Sequence, residues 1–150
     1  MSERDATGTA PTRYRTQLAL FVATIASTLL AGSNHSLDEL MTSPRAWLDG
    51  VPFAGTLLAI LVFHESGHYV LSRIHRVRAS LPYFIPMPLT PIGTMGAIIV
   101  MRSRIHHLRA LVDIGAAGPI AGFVLAVPAL FYGVALSTPI AHLPDGPTLV

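Results

Sequence analysis

The feature that most constrains this chain is the presence of three long apolar runs within 150 residues. They are residues 17–33 (QLALFVATIASTLLAGS), 51–72 (VPFAGTLLAILVFHESGHYVLS) and 110–137 (ALVDIGAAGPIAGFVLAVPALFYGVALS). A helix spans a bilayer with about 20 mainly apolar residues, and about 17 are enough. Charged residues make up only 12% of the chain and mean hydropathy is +0.56, whereas a soluble domain is about a quarter charged. The expected fold class is therefore an all-α membrane protein of about three transmembrane helices. The first run can also be read as a signal peptide, with Ala31 and Ser33 as a small-x-small site before Asn34. A retained helix is the favoured reading, and both readings carry the next residues across the membrane.

Charge sets the expected orientation. Residues 34–50 hold Asp38, Glu39, Asp49 and Arg45, a net negative loop, while residues 73–110 hold six arginines and no acid. The positive-inside rule assigns the arginine-rich stretch to the cytoplasm, so the second helix runs from outside to inside. The arginines flank apolar runs and the net charge is only +2. They read as topology signals, and no nucleic-acid partner is expected. The chain has no cysteine, which excludes disulfides, thiolate ligands and a cysteine nucleophile. Residues 1–16 read as a mobile tail, 17–137 as a membrane core and 138–150, with Pro139, Pro144 and Pro147, as the start of an outside loop. No internal repeat is present. The expected setting is a multi-pass protein of a bacterial inner membrane, its site toward the cytoplasm.

Residues 81–101 (LPYFIPMPLTPIGTMGAIIVM) break the pattern. Pro82, Pro86, Pro88 and Pro91 rule out a regular helix over the first half. Gly93 and Gly96 then precede the β-favouring run Ile98-Ile99-Val100. The segment reads as a re-entrant or interfacial, β-like loop between helices 2 and 3, or as a proline-rich surface loop. Non-helical backbone at membrane depth needs protein or water beside it. In the third run, Gly115, Gly118 and Gly122 give one face almost no side chain, which allows close helix approach. Pro119 and Pro128 are expected to bend this helix.

The chemistry lies in His64-Glu65-Ser66-Gly67-His68. Residues four apart lie about 40° apart around a helix, so His64 and His68 can aim both imidazoles at one metal ion. Glu65 then reaches a metal-bound water without being a ligand. With Zn2+, that water is acidified toward a pKa of about 7, and Glu65 can serve as the base for attack on a carbonyl. Two His and a Glu inside an apolar helix are costly in lipid and mark function by default. The structural alternative is a pair of hydrogen-bonded histidines with Glu65 neutral or paired. A catalytic zinc usually takes three protein ligands. The remaining candidates are Asp113, which could instead pair with Arg109, His75 two turns beyond His68, and His106 and His107 in the basic loop. His35, His142 and Asp145 fall on the opposite side.

Together these residues resemble the site-2 protease family of intramembrane metalloproteases. The resemblance rests on HESGH in the second apolar helix, on PYFIPMPLTPIGTMGAII after it, on DIGAAGPIAG in the third helix, and on helix order and orientation. It covers roughly residues 51–135 and is nearest the bacterial and plastid-type members. It implies zinc held by His64 and His68, Glu65 as catalytic base, and a transmembrane protein as substrate. It also implies that Gly93–Ile99 presents an edge to an extended substrate. Family members take a third ligand from an Asp-Gly motif on a later helix. Pro144-Asp145-Gly146 lies in a polar tail and is not given that role. Nor does an Asn follow Gly118-Pro119, as it often does in the family; the residues are Ile120-Ala121-Gly122. The third ligand is expected beyond residue 150, the chain being the N-terminal part of such a protease. The competing function is a non-catalytic membrane scaffold or a transporter-like protein using the His pair otherwise.

Overall fold

The computed structural model describes residues 10–33, 35–103, 105 and 107–137. Expectations for residues 1–9, Asn34, Arg104, His106 and the outside loop 138–150, with His142 and Asp145, fall outside these. Three long helices carry the structure: α1 (Ala10–Ser33), α4 (Val51–Ile74) and α5 (Leu108–Leu136). Between α1 and α4 lie two short helices, α2 (Leu37–Thr42) and α3 (Pro44–Asp49). Between α4 and α5 lies a hairpin of β1 (Tyr83–Pro86) and β2 (Thr94–Ile98).

Two helices are long and apolar enough to cross a membrane, residues Tyr14–Ser33 of α1 and the whole of α5. α4 is 24 residues long but is not among them. His64, Glu65, His68 and Arg73 fall within it and lower its apolar character. The expectation of three spans thus meets three helices of spanning length, of which two qualify by composition. Small polar residues join apolar ones such as Ile114 and Phe84 in the interior. Thr24, Thr28 and Ser72 are among the largest fully enclosed side chains, while Ile120, Phe123, Val124, Leu130 and Phe131 of α5 are exposed. Small polar residues inside and large apolar ones outside suit a lipid surround.

The 34–50 segment, expected as a loop, folds into α2 and α3 because its caps are strong. Ser36 accepts from the Glu39 amide and the Glu39 carboxylate accepts from the Ser36 amide, a reciprocal capping box. Pro44 opens α3 and Pro52 opens α4, where a missing N–H is harmless. His35 sits between two carboxylates, with Nε2 2.9 Å from Asp49 Oδ2 and Nδ1 3.2 Å from Glu39 Oε2.

α4 ends in a Schellman turn. The Val77 amide donates to the Ser72 carbonyl and the Arg76 amide to the Arg73 carbonyl. Arg76 occupies the left-handed position, φ 56°, where glycine is usual. Val77, buried after the turn, supplies the apolar contact that accompanies this motif.

The proline-rich segment, expected to end in one extended strand, forms two. β1 and β2 are antiparallel, with Tyr83 opposite Ile98, Phe84 opposite Ala97 and Pro86 opposite Thr94. β2 carries one residue more than β1 across the bulge, at which Gly96 takes φ +100°. Pro86 is tolerated because it closes an edge strand. Phe84 is buried against Phe21 of α1, ring centroids 4.7 Å apart. Polar bonds fix the hairpin to α1. Ser27 Oγ donates to the Gly93 carbonyl at 2.6 Å, and Gln17 Nε2 donates to the Leu81 carbonyl at 2.9 Å. Gly93 has φ +76° and leaves no room for a Cβ against the Ser27 carbonyl, so the turn requires glycine twice over. Toward the helices the ladder continues: Ala79 bridges Met101, and the Arg102 amide donates to the Arg78 carbonyl at 2.7 Å.

Two predictions follow from local geometry. Arg76→Gly removes the left-handed penalty of about 1 kcal/mol and is expected to raise the unfolding temperature in detergent; an unchanged or lower value would contradict the strain. The pKa of His35 is raised, chiefly by its hydrogen bond to Asp49 and then by that to Glu39, and that of Glu39 is lowered, chiefly by its hydrogen bond from the Ser36 backbone and then by His35. The His35 contribution is therefore full below its ordinary value of 6.5 and fades as pH rises through its raised value. The Glu39 contribution is full above 4.5 and fades as pH falls through its lowered value. Melting curves should show the stabilising effect of His35 relative to His35→Gln at pH 5.5 and show it shrinking toward pH 8.

Candidate metal centre

The site lies where α4 crosses α5. The two helices pack antiparallel, since His68 meets residues 114 and 118 while His64 meets residue 122. Close approach is possible because both faces are built from small residues. Gly67 packs onto the Ala117 backbone. Buried Ile114, Gly118 and Gly122 continue a stripe from Ala110 at four-residue spacing along α5.

The histidine pair on α4 fits into the glycine pair on α5. A Cβ at position 118 would collide with the His68 imidazole, and one at 122 would come within 3.3 Å of His64. His68 Nδ1 lies 2.7 Å from the Ile114 carbonyl oxygen. A carbonyl only accepts, so Nδ1 carries the proton and Nε2 keeps its lone pair. Such a second hydrogen bond is what orients a metal-binding histidine. The Nε2 atoms of His64 and His68 are 3.2 Å apart. Two zinc–nitrogen bonds of about 2.0–2.1 Å at a tetrahedral angle separate the nitrogens by about 3.3–3.4 Å. The spacing, with the lone pair on His68 Nε2, therefore suits two ligands of one zinc ion.

Glu65 is buried at 6% exposure. No hydrogen bond holds its carboxylate among the described residues, a state suited to a group that must exchange a proton. The other candidates are engaged elsewhere. His75 Nε2 lies 3.0 Å from Asp113 Oδ2, joining the arginine-side ends of α4 and α5, so Asp113 pairs neither with Arg109 nor with the motif. This pairing escaped sequence reasoning. Each partner was visible at a helix end, but their relative rotation depends on how α4 seats on α5. His107 caps α5 without a side-chain bond, and His35 lies beyond the opposite end of α4. No group of three or more His, Cys, Asp or Glu able to hold a metal occurs among the described residues.

With this arrangement in view, comparison with known proteins is direct. The chain belongs to Peptidase family M50, the site-2 protease family, which matches over residues 52–145. The protein named "Probable zinc metalloprotease EGY1, chloroplastic" of Arabidopsis thaliana is 34% identical over 145 residues, 84% of this chain and 26% of that protein. Its namesake in Oryza sativa subsp. japonica is 38% identical over 88 residues, 59% of this chain and 15% of the relative. "Probable zinc metalloprotease EGY2, chloroplastic" of Arabidopsis thaliana is 31% identical over 86 residues, 57% and 15% respectively. The chain thus spans about a quarter or less of the length of these relatives. Their names place them in chloroplasts, which lends the expected bacterial inner membrane no support. No solved structure matches the chain.

The seating of imidazole on glycine gives a graded test. Gly118→Ala must displace His68, and losing such support is worth about 10- to 100-fold in metal affinity. Gly122→Ala makes only a tight contact and should lose less. Competition with a chromophoric zinc chelator on the full-length protein measures both; equal affinities would refute the fit.

Proposed function

We propose that this chain forms part of the catalytic centre of a zinc-dependent intramembrane endopeptidase that hydrolyses peptide bonds in transmembrane segments of partner proteins. The observation that carries the reading is the His64–His68 pair, Nε2 to Nε2 3.2 Å, with buried and unpaired Glu65 on the same apolar helix. In this reading His64 and His68 are zinc ligands and Glu65 is the base. Residues 17–137 form the membrane core with α4 as a third span, followed by the outside loop 138–150. The arginine-rich stretch 73–110 puts the site on the cytoplasmic side.

The chemistry assigned to the chain's own residues is proton handling and positioning. Zinc, when bound, supplies a Lewis acid that polarises the scissile carbonyl and acidifies the attacking water. Glu65 takes the proton released as water adds to the carbonyl carbon, and returns it to the departing amine as the C–N bond breaks. The Ile114 carbonyl holds His68 in the tautomer that offers Nε2. β2 lies beside α4 and pairs only with β1 among the described residues, which leaves an edge for an extended substrate. A helical segment must unwind to expose its peptide bonds, and strand addition to an edge stabilises the unwound form. A scaffold or transporter has no evident use for a carboxylate kept unpaired beside two imidazoles.

Glu65→Gln should leave zinc stoichiometry intact and lower cleavage of a reconstituted transmembrane substrate by about 10²- to 10⁴-fold, the range typical of a general base. Undiminished cleavage would overturn the assignment.

A further inference from the structure

On the arginine side of the helices lies a second concavity, separate from the histidine pair. Its volume is about 500 Å³, and Arg73, Arg78, Arg102, Tyr14, Tyr69 and Tyr83 contribute to its wall. We propose that this cavity is a binding site for the phosphate headgroup of an acidic membrane lipid.

The fold brings these charges together. The 2.7 Å bond from the Arg102 amide to the Arg78 carbonyl places two arginines side by side on the ladder. Arg73, in the last turn of α4, joins them. All three are exposed to an incoming ligand. No acid among the described residues pairs with any of the three, and Asp113 is paired with His75. Three guanidinium groups without a counter-charge call for an external oxyanion, and the planar fork of arginine suits phosphate in particular.

The surroundings favour a lipid over soluble phosphate. Tyr14 begins the span of α1 and Arg73 closes α4, and the short α2–α3 connection makes these two helices antiparallel, so both residues lie at one membrane edge. Tyrosine and arginine are the residues that gather at that depth, where tyrosine hydroxyls reach headgroups. Tyr14 is 61% and Leu18 64% exposed on α1, offering an apolar track for acyl chains next to the cavity. The volume also exceeds what inorganic phosphate needs and lies within the usual range of ligand pockets.

Native mass spectrometry of the full-length protein in detergent tests this, with phosphatidylglycerol, diacylglycerol and inorganic phosphate as probes. Phosphatidylglycerol should bind at least tenfold more tightly than diacylglycerol. Arg78→Gln with Arg102→Gln should lower that binding on the order of tenfold or more, while the Lys versions restore part of it. Circular dichroism melting checks that each variant is folded. Glu65→Gln should retain the lipid fully, so the outcome is independent of the protease reading. Equal binding of the two lipids, or full binding by the Gln variant, would overturn the site. Competition by inorganic phosphate at millimolar concentration, with no preference for lipid, would overturn the lipid assignment.

Discussion

The rest of the site depends on one steric fact: the His68 imidazole occupies the space that any side chain at position 118 would fill. This contact sets the α4–α5 separation and rotation. It also brings the Ile114 carbonyl within 2.7 Å of Nδ1, which leaves the lone pair on Nε2. A single four-residue period therefore serves both helices. On α4 it aligns two imidazoles, and on α5 it aligns the two glycines that receive them. Neither feature would be stable alone in an apolar surround. Unpaired imidazoles are costly there, and bare glycine weakens a helix by about 1 kcal/mol relative to alanine.

The same economy of small polar groups holds α1 to the hairpin. Thr24 and Thr28 return their hydroxyls to carbonyls one turn back, at 2.8 Å each, and so present methyl groups at low polar cost. Ser27 instead donates outward to Gly93. That bond anchors the turn joining the strands, so the position of β2 relative to α4 traces back to a hydroxyl on α1. Ser72 Oγ is a buried atom without a hydrogen-bond partner among the described residues. It sits one residue before Arg73, where α4 gives way to its Schellman turn, and nothing in the structure explains it.

What could be read from the sequence follows from whether the signal was periodic and local. HESGH declares its own geometry, since helix period alone brings His64 and His68 together. The three apolar runs located α1, α4 and α5 within a few residues, except that α1 begins at Ala10, earlier than the apolar run. Gly118 and Gly122 marked a close approach correctly, whereas Gly115 faces open space. Features that depend on pairing were harder to see. Pro86 obscured β1, because a proline looks like a strand breaker until its edge position is known. The β-rich residues Ile98–Val100 drew the expected strand too late, while the pairing is centred on Thr94–Ile98. Position 75 found Asp113 only through the seating of two helices, which no local pattern encodes.

The composition of α4 and the missing third ligand are linked. A helix carrying two histidines, a glutamate and an arginine sacrifices apolarity, and it falls short of the helices fit to cross a membrane on their own. It lies against α5, α1 and β2. The imidazoles face α5. A metal held by the two Nε2 atoms still has coordination positions to fill, and no third protein donor reaches it among the described residues. Two imidazoles and an unpaired carboxylate are carried by one helix, and the glycine face of α5 receives the imidazoles.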